Sequence, residues 1–476
     1  MPTTIHESLK DAYEDVAYVG RPNPWSHPDR LAAIGTLFGL APPDPATARV
    51  LEVGCGDGAN LLPMAVQRPG ARFVGCDLSA LLMSRARETA QGLGLANVEL
   101  VEGDVREVAG SLGEFDYVIA HGFYSWVPAD VREAFLAAAR KCVAPGGLVY
   151  VSYNVLPGGF VRQIGWDAIK LENAGVSAAR ERLDGARRIR RELAEAWRAE
   201  GGVAAMLAPE FADDDERTDS ALFHDDMSGV NEPVYFTAFV RHAAAHGLGF
   251  VAEAEMGTMG AGGLPRAMQA IVGGADPLSR EQYLDFARVR RFRQSVLAAD
   301  RDAREARLTL AALDRLHVSA LTGVMQSRDA SGAPTRDLLV DVLAERYPSS
   351  IPGTELVEAL AARGVPEGEA RGAIVRGCFH GACELHARPL PIASRVSERP
   401  RAFAAARWQA PRSDVVTNLR HEGVRLDDED ARRVLAAADG SRDYAALVAA
   451  LGSRSGAREI VTQCLDRFAF TSLLEA

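Results

Sequence analysis

No run of about 18 consecutive apolar residues occurs in this chain, so no segment is composed to cross a membrane as a helix. Cysteine is scarce. The six residues are scattered, without the even spacing of a secreted disulfide scaffold, and reduced thiols in a cytoplasmic setting are expected. Basic charge is not in excess either. Lys and Arg number 53 against 64 Asp and Glu, and the net charge of −11 argues against a nonspecific nucleic-acid binder. That balance suits a basic partner, such as a lysine-rich protein. The opening residues, MPTTIHESLKDAYEDV, are acidic and polar and lack the apolar centre of a signal peptide. What remains is a globular composition, 47% hydrophobic and 25% charged, over 476 residues. That length implies roughly two to four domains.

The chain is organised around RVLEVGCGDGANLLPM, from Arg49 to Met64. A short apolar strand, Val50 to Val53, runs into Gly54, Gly56 and Gly58, and a helical run follows from Asn60. Strand, glycine turn and helix together present backbone amides to a nucleotide-like ligand at the carboxyl edge of an open α/β sheet. Glycine permits positive φ and close approach without a Cβ. A tight turn with no ligand would use the same residues. The spacing differs from the dinucleotide fingerprint G-x-G-x-x-G. Here the third glycine comes two places after the second, and Glu52 stands two places before the first. The pattern E-x-G-x-G-x-G resembles the first motif of class I S-adenosylmethionine (AdoMet) methyltransferases. The ammonium of that ligand would favour a carboxylate, which Glu52 or Asp57 could supply.

Two further acids follow in order. A second strand over 71–77 ends in Asp77, whose carboxylate can accept from both ribose hydroxyls, with Leu78 beside it. Asp77 could instead cap the next helix, a role also open to Ser79. A third strand over 98–102 leads to Gly103-Asp104-Val105. There Asp104 would accept from an adenine amino group while the Val105 amide reads a ring nitrogen. A fourth strand, 115–119, opens into AHGFYSWVP, and a fifth, 148–153, opens into Asn154. His121, Phe123, Tyr124, Trp126, Tyr153 and Asn154 thus stand where a doubly wound sheet holds its acceptor. His121, Tyr124, Trp126 and Tyr153 are the candidate catalytic residues. His121 would act as general base or stack beside adenine, and the rings would hold a cation. Packing under the next domain is the alternative for this aromatic group. The 48-residue preface is long enough to fold over this edge. Tyr18 and His27 are candidates to line the cofactor site there, with plain packing as the alternative.

Residues 1–160 look like a class I AdoMet methyltransferase. AHGFYSWVP and SYNVLPGG resemble the subgroup with a methyltransferase regulatory domain, to which bacterial protein-lysine methyltransferases of the rickettsial type belong. The likeness continues in FHDDMSGVNEPVYFTAFVRHAAAHGLGFVAEAE (223–255) and EQYLDFARVRRFRQSVL (281–297). It implies an α/β, Rossmann-like seven-stranded class I sheet and a mainly helical middle domain; beyond these, three helices and a short strand suggest a winged-helix-like C-terminal region. The expected boundaries are 1–160, 161–300, 301–390 and 391–476. The resemblance implies AdoMet binding and methyl transfer, leaving S-adenosylhomocysteine, and does not fix the acceptor; the expected acceptor is the lysine side chains of a protein substrate. The alternatives are a small-molecule or biosynthetic-peptide acceptor, with the C-terminal modules binding a leader or pairing two chains as a homodimer, and a non-catalytic AdoMet-binding regulator.

Other motifs give bland readings. His224, Asp225 and Tyr235 could reach the acceptor channel as a lid or serve ordinary structural hydrogen bonding. The segment 281–297 reads as one helix with an arginine face, and Tyr283, Phe286 and Phe292 as its buried side. An RNA patch is disfavoured because stacking rings are not interleaved. His242 and His246 stand at i, i+4, a spacing that can ligate zinc, but no third ligand lies at motif spacing. Cys378, His380, Cys383 and His386 are spaced loosely for zinc. No metal is expected.

Overall fold

A computed structural model of the chain describes residues 19–108, 111–212, 218–301, 307–331 and 337–476. Its centre is a seven-stranded sheet in the order β3-β2-β1-β4-β5-β7-β6. Five parallel strands lie where the sequence puts them: β1 (Arg49–Val53), β2 (Arg72–Asp77), β3 (Val98–Glu102), β4 (Phe115–Ala120) and β5 (Val143–Asn154). The middle of β5, from Leu148 to Val151, is fully buried, as a strand covered on both faces requires.

The last two strands come from much later in the chain. β7 (Phe292–Ala299) pairs antiparallel with β5, and β6 (Leu248–Glu253) pairs antiparallel with β7 at the outer edge, so that β7 alone runs against the rest of the sheet. The segment expected to form a separate middle domain therefore completes the sheet. The single helix expected over 281–297 is two elements. The helix Pro277–Arg288 ends at Val289, which sits in the left-handed region at φ 49, and β7 follows. The arginines disguised this boundary. Arg293 points into the protein and is fully buried. It pairs with Glu253 at 2.8 Å, Asp285 at 2.9 Å and Glu281 at 3.2 Å, with Phe236 beneath its guanidinium at 4.1 Å. Tyr283, Phe286 and Phe292, expected to be buried, are instead 40%, 46% and 39% exposed.

One face of the sheet packs under the helix Pro28–Leu37, with Leu31, Ile34 and Leu37 against Val50, Tyr117 and Tyr150. The other packs under the helices Ala129–Cys142 and Phe236–Ala245, with Phe135, Phe236 and Phe239 against Val53, Val151 and Tyr153. The segment between β5 and β6 is helical, from Gly158–Glu172 and Ala179–Glu200 onward. Beyond β7 comes a small antiparallel sheet of β8 (His317–Ala320), β9 (Ile351–Pro352) and β10 (Cys383–His386), with the helices Leu338–Ala344, Gly353–Ala361 and Glu367–Phe379. The chain ends in a hairpin of β11 (Val415–Thr417) and β12 (Gly423–Arg425), followed by the helices Glu429–Ala437, Tyr444–Ala450 and Ala457–Phe470. Among the described residues no helix is long and apolar enough to cross a membrane.

Candidate active site

The glycine turn leaves β1 at the carboxyl edge of the sheet. Gly54, Gly56 and Gly58 all take positive φ, at 72°, 55° and 77°. At Gly54 a Cβ would lie 2.9 Å from Cδ2 of Phe123, so the β4 loop closes directly over bare backbone. Asp77, at the end of β2, accepts from the Gly56 amide at 2.9 Å and the Ser79 amide at 2.9 Å. Its carboxylate thus braces the turn and remains half-exposed toward the edge. Burial raises its pKa, against the lowering effect of the Ser79, Gly56 and Leu78 amides. Ser79 caps the next helix, accepting from Leu82 at 3.3 Å. Leu78 is half-buried beside Asp77. Asp104, 7% exposed after β3, is held by the Arg106 guanidinium at 2.6 Å, and Val105 is buried next to it.

Glu52 lies beneath the turn and is 2% exposed. Its Oε1 accepts from Nδ2 of Asn60 at 2.7 Å, and its Oε2 has no hydrogen-bond partner among the described residues. Burial drives its pKa up to about 8, and the nearby Asp77 and Asp57 charges add to that. Asp57 accepts from the amides of Ala59 at 3.1 Å and Gly20 at 3.4 Å. The second contact brings Gly20 against the glycine turn. Val19 is tied to Ser220 of the middle segment at 3.1 Å, and Asn23 reaches the Asn60, His121, Tyr150 and Gln294 side chains. Tyr18 lies outside the described residues. His27 is buried, caps the helix Pro28–Leu37 through Nδ1 and contacts Gln67.

The aromatic candidates divide between the two faces of the sheet. His121 is half-buried at the end of β4, and Asn23 Nδ2 donates to its Nδ1 at 2.9 Å. With Tyr150 Oη and Ser152 Oγ each 3.2 Å from the same nitrogen, Nδ1 is the acceptor and Nε2 carries the proton. Burial lowers the ring's pKa to about 4, so His121 is neutral at physiological pH. Strand alternation puts Tyr153 on the opposite face from Tyr150 and Ser152. Tyr153 is 1% exposed, stacked on Phe239 at 3.9 Å and hydrogen-bonded to Ser295. Tyr124 is 3% exposed, packs edge-on against Phe239 and touches His242 Nδ1 at 2.8 Å. Neither hydroxyl meets His121. Trp126 is half-buried in the short turn that follows Tyr124.

Beside His121 the edge opens to solvent through other rings. Phe292, at the start of β7, stands edge-on to His121 at 6.3 Å, opposite Asn154 in the sheet register. Asn154 Nδ2 donates to Asn231 at 2.9 Å. Val234 bridges to Val155, and the adjoining Tyr235, 37% exposed, stands against Phe286 at 6.0 Å. Of the expected lid residues, Tyr235 is exposed and His224 is buried against Phe223.

A further contributor comes from the far end of the chain and carries no sequence signal. The hairpin loop between β11 and β12 inserts His421, 1% exposed and at φ 61, next to Asn60. Its Nε2 lies 2.9 Å from Asn60 Oδ1, which already accepts from the Asn23 amide at 2.8 Å. These bonds orient the Asn60 amide so that it donates to Glu52. The adjoining Arg420 is fully buried and binds Glu384 at 2.6 Å, Ser319 at 2.8 Å and the Pro348 carbonyl at 2.9 Å. The C-terminal hairpin is thereby part of the wall behind the glycine turn.

In fold and domain content the chain is similar to AdoMet-dependent methyltransferases. The chain matches the methyltransferase domain family over residues 50–147, the predicted methyltransferase regulatory domain over 218–298, and the PKMT C-terminal winged helix domain over 398–465. The structure of PKMT2 from Rickettsia typhi in complex with AdoHcy superposes with a TM-score of 0.82, covering 96% of this chain and 99% of that one at 21% identity. An uncharacterized protein of Rickettsia prowazekii is 33% identical over 298 residues, 60% of this chain, and the chain spans 52% of that relative's length. A trans-aconitate 2-methyltransferase of Deinococcus radiodurans is 31% identical over 122 residues, 26% of this chain and 43% of that one.

Proposed function

We propose that the chain transfers a methyl group from AdoMet to lysine side chains of a protein substrate. The residues at the carboxyl edge fit the methyl donor. Glu52 offers a buried carboxyl oxygen without a partner among the described residues, suited to the ligand's ammonium. Gly54 and Gly56 leave the backbone bare, and Asp77 keeps acceptor capacity for ribose hydroxyls. Bound there, AdoMet supplies an electrophilic methyl on a sulfonium.

The chain's own contribution is position and dryness. Holding an amine in line with the methyl is worth up to ~7–11 kcal/mol by effective-molarity estimates. A lysine has an ordinary pKa of about 10.4, and an apolar, half-buried mouth favours its neutral, nucleophilic form. His121 contributes no positive charge and presents an N–H rather than a lone pair, so its part is to shape the mouth and orient the amine rather than to take the proton. The observation that carries the reading is the set of exposed rings, Phe292 edge-on to His121 and Tyr235 against Phe286. Such rings grip an aliphatic stem and, through the ring faces, an ammonium or methylammonium. Similarity to a PKMT over almost the whole chain supports the same acceptor class. Incubation of the purified chain with methyl-labelled AdoMet and cell lysate tests the reading. Label in protein bands is expected, and label confined to acid-soluble metabolites would overturn it.

A further inference from the structure

Across the sheet from the cofactor edge, two helices bring together a set of donors that no sequence motif joins. His242 and His246, one turn apart on and just beyond the helix Phe236–Ala245, present their rings side by side with centroids 5.5 Å apart. Glu133, on the helix Ala129–Cys142, reaches both. Its Oε1 lies 2.9 Å from Nε2 of His242, and its Oε2 lies 2.8 Å from Nε2 of His246. The three donor atoms all fall within 4.8 Å of one another, and among the described residues no other such cluster of His, Cys, Asp and Glu is found. The C-x-H-x2-C-x2-H stretch does not assemble. The Cys378 and Cys383 sulfurs stand 3.4 Å apart, but His386 is committed through both ring nitrogens to Asp29 and Ser319.

We propose that Glu133, His242 and His246 form a binding site for a divalent transition metal ion of the zinc class. Two imidazoles and one carboxylate are the donor set of open zinc sites, which leave a fourth position to water. Metal–ligand bonds of about 2.0–2.2 Å place donors around a tetrahedral ion roughly 3.3–3.5 Å apart. The carboxylate therefore has to withdraw by about half an ångström, and Glu133 is exposed enough to do so.

The outer partner of the site is already in place. Without an ion, the contact to the Glu133 carboxylate puts the His242 proton on Nε2, and Nδ1 accepts from the Tyr124 hydroxyl at 2.8 Å. Coordination through Nε2 moves that proton to Nδ1, which then donates to the tyrosine oxygen while the hydroxyl hydrogen turns away. An oxygen behind a ligating imidazole is the usual way a protein fixes ring orientation and tautomer. Occupancy would pin the helix from the middle segment to the helix that follows the β4 loop, under the ring stack of Tyr124, Phe239 and Tyr153.

The test is titration of the chelator-treated full chain with Co²⁺, read by its visible d–d bands, followed by competition with Zn²⁺. One equivalent of Co²⁺ with the intense bands of low-symmetry four- or five-coordination is expected, displaced by Zn²⁺. The variants His246→Ala and Glu133→Gln should each weaken binding by at least about tenfold. Neither side chain bonds Tyr124 directly, and folding of the variants is checked independently by circular dichroism. No saturable binding, or binding of equal strength in the Glu133→Gln/His246→Ala double variant, would overturn the proposal.

Discussion

Replacing Glu52 with glutamine should expose a conflict between stability and ligand binding. The carboxyl is 2% exposed, and one of its oxygens has no partner among the described residues. Burial raises its pKa from 4.5 to about 8. Below the unfolded value both states are protonated and the group costs nothing. As pH rises past that value the unfolded chain ionises while the folded chain holds its proton, so stability falls until the folded pKa is passed. Integrating between these limits gives a penalty of about 1 kcal/mol near pH 5, about 3 kcal/mol at pH 7 and about 4 kcal/mol at pH 8. Glutamine does not ionise. It still accepts from Asn60, and its unpaired amide carries a fixed cost of about 1–3 kcal/mol at every pH. The stability of Glu52→Gln relative to the parent should therefore rise by about 3 kcal/mol between pH 5 and pH 8. Thermal melts of both proteins across that range read the effect as a Tm gap that moves in favour of the variant as pH rises. Added AdoMet should raise the parent's Tm more than the variant's, because the variant has lost the carboxylate that faces the ammonium. A Tm gap independent of pH would refute the account of Glu52 as a strained, ligand-seeking carboxyl.

Other substitutions separate roles that the sequence could not. Asp77→Ala should weaken AdoMet binding by about 1–3 kcal/mol, read by calorimetric titration, since ribose hydroxyls lose their acceptor and the Gly56 amide loses its brace. Tyr153→Phe should leave kcat within about twofold while lowering Tm, because that hydroxyl bonds Ser295 on the face away from His121. A loss of activity of about a hundredfold would return Tyr153 to the acceptor channel. His421→Ala, 361 residues from Asn60 in sequence, should raise the Kd for AdoMet several-fold, with partial recovery in His421→Gln. Equal affinity in parent and variant would detach the C-terminal hairpin from the site.

The features legible in the sequence were local ones. Gly54 to Gly58, Asp77 and the five parallel strands each declare themselves within a few residues, because turn conformation and strand alternation are short-range properties. β7 was hidden because Arg288, Arg290, Arg291 and Arg293 read as one solvated helix face. Only the burial of Arg293 among Glu253, Glu281 and Asp285 shows that the last of them belongs to a strand. The aromatic group near His121 was legible as a group but not as to side. Tyr150 and Tyr153 are an odd number of positions apart, and parity alone sends them to opposite faces of the sheet. Nothing local foretold His421 beside Asn60, or Glu133 between two histidines. Those neighbours are made by the fold, across 361 and 109 positions of sequence.

The most direct measurement of acceptor chemistry is hydrolysis of the labelled protein substrate to amino acids, followed by chromatography of the methyl label against methylated standards. Methyl groups carried to an amine at the exposed rings Phe292, Tyr235 and Phe286 will be recovered as Nε-methyllysines, and Asp77→Ala will deplete them in proportion to its loss of AdoMet affinity. Label recovered on any other side chain, or released as volatile methanol from a hydrolysed methyl ester, would contradict the assignment of lysine as the acceptor.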